Sequence, residues 1–350
     1  MSTLTEKEGL LILAIETSCD ETSAAIVKNG RTVLSNIIHS QIALHETYGG
    51  VVPEIASRSH IEKINEVIEK ALAQAQVSLH EIDIIAVTYG PGLVGALLVG
   101  VSQAKAIAYA LDKPLIPIHH IEGHIAANFL EHKQLRPPFL SLVVSGGHTH
   151  LIAVKDYGKF EILGQTRDDA AGEAFDKIAR AIGFGYPGGP KIENEAKKGN
   201  PYAIPFPKAK VENAPYDFSF SGLKSAVLNY LHKAKQRGEN VNLSDLAASF
   251  QQAVIDALIE KTALVIEKYS YSTLVLAGGV AANRSLVFQL RKWCEEHRIK
   301  FFAPSLVYCT DNAAMIAAAA YDEYRQGNRS NYTLNAVPNL KIGERKYEQW

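Results

Sequence analysis

The segment His120-Ile121-Glu122-Gly123-His124 sets two imidazoles four residues apart, hence on one face of a helix and able to share one metal ion. A zinc peptidase would carry H-E-x-x-H, with its base glutamate directly after the first histidine. Here the glutamate stands one residue later. At about 100° per residue it turns roughly 200° from His120 and points away from the metal, badly placed to activate a metal-bound water. Thr310-Asp311-Asn312 offers a third ligand, a carboxylate at the start of a helix that follows a strand. Two histidines and an aspartate form the facial set typical of Fe(II), with positions left open for substrate. The chain has 12 histidines, so some pairs at this spacing arise by chance, and the pair alone also admits a structural reading.

Four small-residue turns directly follow apolar strands: Thr17-Ser18-Cys19-Asp20, Gly90-Pro91-Gly92, Ser145-Gly146-Gly147-His148 and Gly278-Gly279. Glycine lets backbone approach a ligand, and turn N–H groups favour anionic oxygens, so a nucleotide phosphate fits them. Gly278-Gly279 opens a helix carrying Asn283, whose amide can both donate and accept at a base or ribose, or cap the helix. Glu173 and Asp176 lie three apart on one helical face amid Ala170, Ala171, Ala174 and Phe175, where paired carboxylates are costly without a partner. No G-x-S-x-G occurs, and Ser145 is given no nucleophilic role.

These residues need a frame to hold them. Leu11 to Glu16 and Thr22 to Val27 read as a hairpin, and Asn29-Gly30, the strongest two-residue hairpin signal, leads into Thr32 to His39 as third strand. Apolar residues at three- and four-residue spacing from Glu54 to Gln76 predict an amphipathic helix. Strand Ile82 to Tyr89, helix Leu93 to Leu111, strand Leu115 to Ile118 and helix His120 to His132 follow. After Arg136-Pro137-Pro138 the scheme restarts with strands Phe139 to Val144, His150 to Val154 and Phe160 to Gln165, and a helix from Asp169 to Ile182. Then come a Gly/Pro-rich stretch to Pro190, a loop from Gly199 to Phe220, and long helices from Ser221 and Leu243. Strand Thr273 to Leu276, helix Ala281 to Glu296, strand Lys300 to Ala303, helix Thr310 to Gln326 and an irregular tail close the chain. Two copies of one three-strand-plus-helix half, facing each other across a cleft, bring the turns to one place. The divisions are an N-terminal lobe over 10–135, completed by the helix at 310–327, a C-terminal lobe over 136–309 and a tail from 328.

Composition agrees with a folded globular chain. Of 350 residues 47% are hydrophobic and 21% charged, and 36 basic against 37 acidic residues give a formal charge of -1, which excludes a strongly basic coat protein and requires any RNA to be gripped locally. Cys19, Cys294 and Cys309 form no C-x-x-C, so no thiolate zinc site or disulfide framework is indicated, and a reducing cytosol is the expected compartment. The first nine residues lack a secretory pattern and read as a frayed tail. Ile84 to Ala104 is 21 residues without a charge, the length of a membrane span. Gly90-Pro91-Gly92 breaks it into a buried strand and a buried helix, so no membrane is expected.

Seven ordered motifs, Ile15-Glu-Thr-Ser-Cys-Asp-Glu-Thr22, Tyr48-Gly-Gly-Val-Val-Pro-Glu54, Gly90-Pro-Gly-Leu-Val-Gly95, His119-His-Ile-Glu-Gly-His124, Val144-Ser-Gly-Gly-His148, Phe218-Ser-Phe-Ser-Gly-Leu-Lys224 and Cys309-Thr-Asp-Asn312, resemble the TsaD family. These are bacterial tRNA adenosine threonylcarbamoyltransferases, once described as O-sialoglycoprotein endopeptidases. The resemblance runs from about Leu11 to about Gln326. It implies an α/β fold of two ribonuclease-H-like lobes of the actin, sugar-kinase and heat-shock-ATPase type facing a central cleft. It implies one Fe(II) per chain, with zinc or magnesium as substitutes, on His120, His124 and Asp311. The donor it implies is threonylcarbamoyl-AMP, made by a separate synthase and contacted by Val143, Val144, Ser145, Gly146, Gly147, Asp176, Gly189 and Asn283. Many relatives have an aspartate where this chain has Glu193, whose longer side chain still reaches toward a ribose hydroxyl. The acceptor is the exocyclic amine of the adenosine 3′ of the anticodon in tRNAs reading codons that begin with adenine, and the partners are TsaB and TsaE. Glu16 and Asp20, at the first hairpin turn, stand where a proton acceptor is useful or serve the turn itself. Five lysines between Lys191 and Lys210, against Glu193 and Glu195, offer a local positive surplus to RNA phosphates or form a solvated loop.

Three rivals remain at this stage. A phosphotransferase or ATPase on the same fold conflicts with the histidine pair, since sugar kinases hold magnesium through carboxylates and phosphates. A metallopeptidase conflicts with the Glu122 geometry. A nucleotide-binding scaffold without catalysis would not need His120 for its cellular role.

Overall fold

A computed structural model describes residues 9–208 and 211–348; most of the expected frayed N-terminal tail lies outside the described residues. One sheet contains β1 (Leu11–Glu16), β2 (Glu21–Lys28), β3 (Thr32–Ser40), β4 (Ile84–Gly90) and β5 (Leu115–His119). The other contains β6 (Phe139–Val144), β7 (Thr149–Asp156), β8 (Lys159–Gln165), β9 (Thr273–Ala277) and β10 (Lys300–Phe302). The helices are α1 (Ile42–Glu46), α2 (Pro53–Ala75), α3 (Val94–Leu111), α4 (His120–Glu131), α5 (Ala171–Ala181), α6 (Gly188–Ala196), α7 (Ser221–Gln236), α8 (Leu243–Tyr269), α9 (Arg284–Glu296), α10 (Leu306–Cys309) and α11 (Ala313–Arg325). Strand order is β3-β2-β1-β4-β5 in the first sheet and β8-β7-β6-β9-β10 in the second. In both, the first strand of the half runs antiparallel to its hairpin partner and parallel to the strand that returns after a helix. The duplication legible in the sequence is therefore a duplication of topology.

The central strands β1, β4 and β6 are mostly apolar and buried along almost their whole length because helices cover both sheet faces. On one face of the first sheet, Leu13, Ile15 and Ile85 pack against α2 and α3. On the other, Ile12, Ala14 and Ile84 meet α4 and α11, whose far side takes Val143, Ile152 and Val275 of the second sheet. Helices α5 to α9 close the outer face of that sheet. Helices α4 and α11 thus form a layer shared by both sheets. They approach closely because α11 is an alanine run and α4 has Gly123, where a Cβ would stand 2.6 Å from Ile316 Cδ1. Each large side chain buried in this layer contributes about 1.5–3 kcal/mol.

The hairpin turn holds Asn29 and Gly30 at φ of 52° and 61°, the left-handed pair its sequence predicts. The uncharged run from Ile84 breaks at Gly90 as expected. Helix α3, the one described helix long and apolar enough to cross a bilayer, turns Ala96, Leu97, Val101 and Ala104 inward. All three cysteines are free thiols.

Several boundaries differ from the sequence reading. The Gly/Pro-rich stretch contains the start of α6, because Pro190 falls in a first turn, where its missing N–H is not required. The helix expected from Ala281 begins only at Arg284: residues Gly279–Ala282 form a 3-10 turn, and Asn283, extended at φ −69° and ψ 110°, caps the helix. The helix expected from Thr310 begins at Ala313, since Asn312 caps it by accepting from Met315 N at 3.0 Å. Asp311 consequently precedes the helix. The tail is irregular but anchored. Ser330 bridges Leu115, Val337 N donates to Tyr89 O at 2.7 Å, and Leu334 and Leu340 enter the core beside α2 and α3.

Candidate metal centre and cleft

Strand β5 ends at His119 and α4 starts at His120, so the helix carries both histidines of the pair straight off the sheet edge. The rings of His120 and His124 lie 4.6 Å apart at 79°. Asp311 Oδ1 is 3.2 Å from His124 Nε2 and 3.5 Å from His120 Nε2. One ligand atom from each of the three falls within 4.8 Å of the others. His124 is buried; its Nε2 faces only Asp311 Oδ1 and its Nδ1 has no hydrogen-bond partner, a polar arrangement of the kind a metal ion completes.

Behind His120 stands Glu16, fully buried at the end of β1. Its Oε2 is 3.1 Å from His120 Nδ1 and accepts from Thr88 Oγ1 at 2.6 Å, while Oε1 accepts from Ser18 N. Ser18 Oγ also lies 3.1 Å from His120 Nδ1. A carboxylate on the outer nitrogen of a ligand histidine fixes its tautomer and leaves Nε2 for the metal. Burial alone would lower the His120 pKa, but Asp311 and Glu16 outweigh it and hold the imidazole up to about 9. Burial likewise opposes ionisation of Asp311, and His120 and His124 overcome it, bringing the carboxyl down to about 2. Glu122 faces the opposite side of α4, where Arg345 grips it at 2.8 and 3.0 Å.

The cluster forms one wall of a cleft of about 740 Å³ whose other wall is the turn Ser145-Gly146-Gly147-His148. The turn is closed by Ser145 N to His148 O at 2.8 Å and His148 N to Ser145 Oγ at 3.1 Å. The N-terminus of α5 abuts it, with Gly172 N donating to Ser145 O at 3.2 Å. A Cβ added at Gly146, Gly147, Gly189 or Gly279 would meet nothing within 4 Å; bare backbone at these points faces open space. At the mouth, Tyr186 donates to Asp20 at 3.3 Å and Lys191 pairs with Glu46 at 2.8 Å, tying α6 and its approach to the first half.

A family model described as TsaD: tRNA N6-adenosine threonylcarbamoyltransferase matches residues 32–318. The chain belongs to this family. Enzymes bearing the name tRNA N6-adenosine threonylcarbamoyltransferase from Clostridium botulinum strain Hall and Clostridium perfringens are each 60% identical, covering 97% and 96% of this chain and 100% and 99% of the relatives. Like them, the chain is a transferase that modifies tRNA. Among solved structures, full-length HypF in its phosphate- and nucleotide-bound form superposes at TM-score 0.59 with 15% identity, over 91% of this chain and 55% of that one. Component A of (R)-2-hydroxyglutaryl-CoA dehydratase from Acidaminococcus fermentans does so at 0.54 with 13% identity, over 90% and 99%. At such identity these likenesses show the fold, that of the actin, heat-shock and sugar-kinase ATPases.

In this TsaD-family chain the residues singled out from sequence fall into two main groups. His120, Asp311, Asp20, Ser145, Gly146, Gly147 and Asp176 line the cleft, and His124 is buried behind them, facing Asp311. Asp176 accepts from Gly188 N at 2.6 Å, so it also caps α6. Burial raises its pKa. A second group is spent on structure. Val143 and Val144 are fully buried strand residues that offer a ligand only backbone. Asn283 caps α9 at Leu286 N and donates to Gln251 at 2.8 Å, and Glu193 accepts from Arg284 N at 3.0 Å. Glu16 is sealed from the cleft, a site for orienting His120 and not for taking a substrate proton. Glu173 pairs with Lys177, a solvated ion pair. Of the lysines, Lys191, Lys198 and Lys208 pair with Glu46, Glu195 and Glu260; Lys210 lies outside the described residues.

Three functional neighbours went unassigned in the sequence reading. Ser18 touches His120, Tyr186 meets Asp20, and His148 lines the cleft opposite the cluster. Burial, followed by the nearby histidines, pushes His148 down to about 3, so it is a neutral ring at working pH. Its place in Val144-Ser-Gly-Gly-His148, next to two glycines, was the available signal.

Proposed function

We propose that this chain takes the threonylcarbamoyl group from threonylcarbamoyl-AMP and places it on the exocyclic amine of the adenosine 3′ of the anticodon, in tRNAs reading codons that begin with adenine. The observation carrying this reading is the juxtaposition, in one cleft, of the His120–His124–Asp311 cluster and a turn of bare backbone. The three side chains suit Fe(II), and their nitrogen donors disfavour magnesium over zinc as a substitute. His120, His124 and Asp311 would hold such a cation, whose chemistry there would be Lewis-acid polarisation of the mixed anhydride and compensation of charge on the departing phosphate.

The chain's own groups do the rest. Backbone N–H groups of Gly146 and Gly147, with the N-terminus of α5 behind them, hold the adenylate phosphate. Asp176 lines the cleft, and Gly189, Glu193 and Asn283 are proposed to meet the ribose and base on the strength of the family resemblance. The adenosine nitrogen attacks the carbamoyl carbon, the bond from that carbon to the phosphate oxygen breaks, and AMP leaves with the electron pair. Asp20 accepts the proton lost by the amine. Because that amine is a poor nucleophile, positioning supplies much of the acceleration. TsaB and TsaE complete the tRNA surface that this near-neutral chain lacks, and a separate synthase supplies the adenylate, all in the cytosol.

The test is transfer from labelled threonylcarbamoyl-AMP to purified tRNA by the complete set of proteins. His120→Ala and Asp311→Asn are expected to lose roughly 100-fold or more, the scale set by removing one electrostatic stabiliser. Undiminished transfer by both variants would refute the metal-centred reading.

A further inference from the structure

The C-terminal segment ends in a buried ion triad that joins the two elements bearing the metal ligands. Arg345 donates through both terminal nitrogens to Glu122, at 2.8 and 3.0 Å, and through Nη2 to Glu323 Oε1 at 2.7 Å. Glu122 belongs to α4, between His120 and His124; Glu323 belongs to α11, the helix that begins directly after Asp311. The two carboxylates are 3% and 4% exposed and the guanidinium 21%. No other basic group reaches either carboxylate among the ion pairs of the described residues.

The same segment holds the start of α4 and the approach to the cleft. Leu340 O lies 3.2 Å from His119 Nε2, whose Nδ1 accepts from Ile121 N at 3.1 Å. Pro338 O accepts from Gly92 N, and Val337 N donates to Tyr89 O. Arg345 lies beyond the residues that the family model matches, which end at 318. Its contacts are bidentate and buried, the geometry in which a guanidinium fixes orientation as well as charge.

We infer that Arg345 is a positioning residue for the metal centre: the C-terminal strap clamps α4 to α11 and so sets the spacing between the histidine pair and Asp311. The inference rests on the metal reading proposed above. Lysine at 345 keeps the cation but cannot fork to both carboxylates, and Glu323→Gln loosens the α11 side while Glu122 keeps its partner. Neither change touches a ligand.

The experiment titrates Co(II) alone into the full chain, without oxygen and well below each variant's melting temperature, reading the visible d–d bands of the site. Wild type is expected to bind one ion. Arg345→Lys and Glu323→Gln are expected to weaken binding several-fold, below the roughly 10- to 100-fold of groups bonded directly to metal ligands, with altered band intensities; Lys346→Ala, beside Arg345 on an exposed pair with Glu344, keeps wild-type affinity. A purely structural role would lower the melting temperature and leave affinity and bands unchanged. That result, or equal loss in Lys346→Ala, overturns the inference. Absence of a Co(II) site in the wild type would instead overturn the metal reading itself.

Discussion

Gly172→Ala probes how the donor turn is held. Gly172 stands in the first turn of α5, and a Cβ there would lie 2.6 Å from Ser145 O, 2.8 Å from Gly146 Cα and 3.0 Å from Gly146 N. All three atoms are backbone, so no rotamer relieves the contact. Ordinary contact begins at 3.4 Å, and 3.4 minus 2.6 means that helix and turn must part by about 0.8 Å at the closest point. Overpacking of this kind costs roughly 1–3 kcal/mol, more than the gain of up to about 1 kcal/mol from replacing glycine in a helix. A net loss of up to about 2 kcal/mol, against an unfolding entropy of about 0.7 kcal/mol/K for a chain of 350 residues, lowers the melting temperature by up to roughly 3 °C. Displacing the turn by nearly an ångström costs transfer up to about 100-fold. Thermal unfolding followed by circular dichroism and single-turnover transfer from threonylcarbamoyl-AMP read the two effects. Wild-type melting together with wild-type transfer would refute the claim that α5 fixes the turn.

Other perturbations separate roles that the fold places side by side. Gly146→Ala adds a methyl to open space, so melting should stay within about 0.5 kcal/mol of wild type while donor binding, measured by equilibrium dialysis of the adenylate, falls at least tenfold. Glu16→Gln should weaken Co(II) binding by about 10- to 100-fold, whereas Asp20→Asn should leave Co(II) affinity unchanged and lower the transfer rate; the reverse pattern would exchange their roles. Asp168 accepts from Ser219, Ser221 and the backbone of Phe220 and Ser221 at the head of α7. Burial alone would raise its pKa, but these donors bring it below the usual value. The stabilisation is complete above the unfolded carboxyl pKa, near 3.9, and is lost as pH falls through the lower folded value. Asp168→Ala should therefore cost about 1 kcal/mol at neutral pH, little of it remaining in strong acid; a denaturant midpoint loss independent of pH would contradict this.

Much of the frame is legible because its signals are local. The hairpin pair Asn29-Gly30, the alternation between apolar runs and glycine turns, and the i, i+4 histidines each depend on neighbouring residues. Even the outward direction of Glu122 follows from helix geometry. What escaped is of two kinds. Helix starts were misplaced where several residues can cap: Thr310, Asp311 and Asn312 are all competent, and the bond to Met315 N selects the last, which frees Asp311 for the cluster. The start of α6 lies inside the Gly/Pro-rich stretch, because a first turn tolerates Pro190. The second kind is tertiary. Glu16 meets His120 across 104 residues and Arg345 meets Glu122 across 223, and no periodicity marks an irregular tail whose value lies in long-range contacts. Asn283 and Glu193 show the same limit, for the packing of α8 and α9 decides what their polar atoms already hold.

The central claim, transfer to tRNA dependent on the metal cluster, is tested most directly by the threonylcarbamoyladenosine content of total tRNA. Nucleosides are quantified by mass spectrometry from cells depleted of this protein and resupplied with wild type or His120→Ala. The account predicts loss of the modified nucleoside on depletion and its return with wild type alone. Unchanged nucleoside content on full depletion, with no second copy of the gene, or full restoration by His120→Ala, would contradict it.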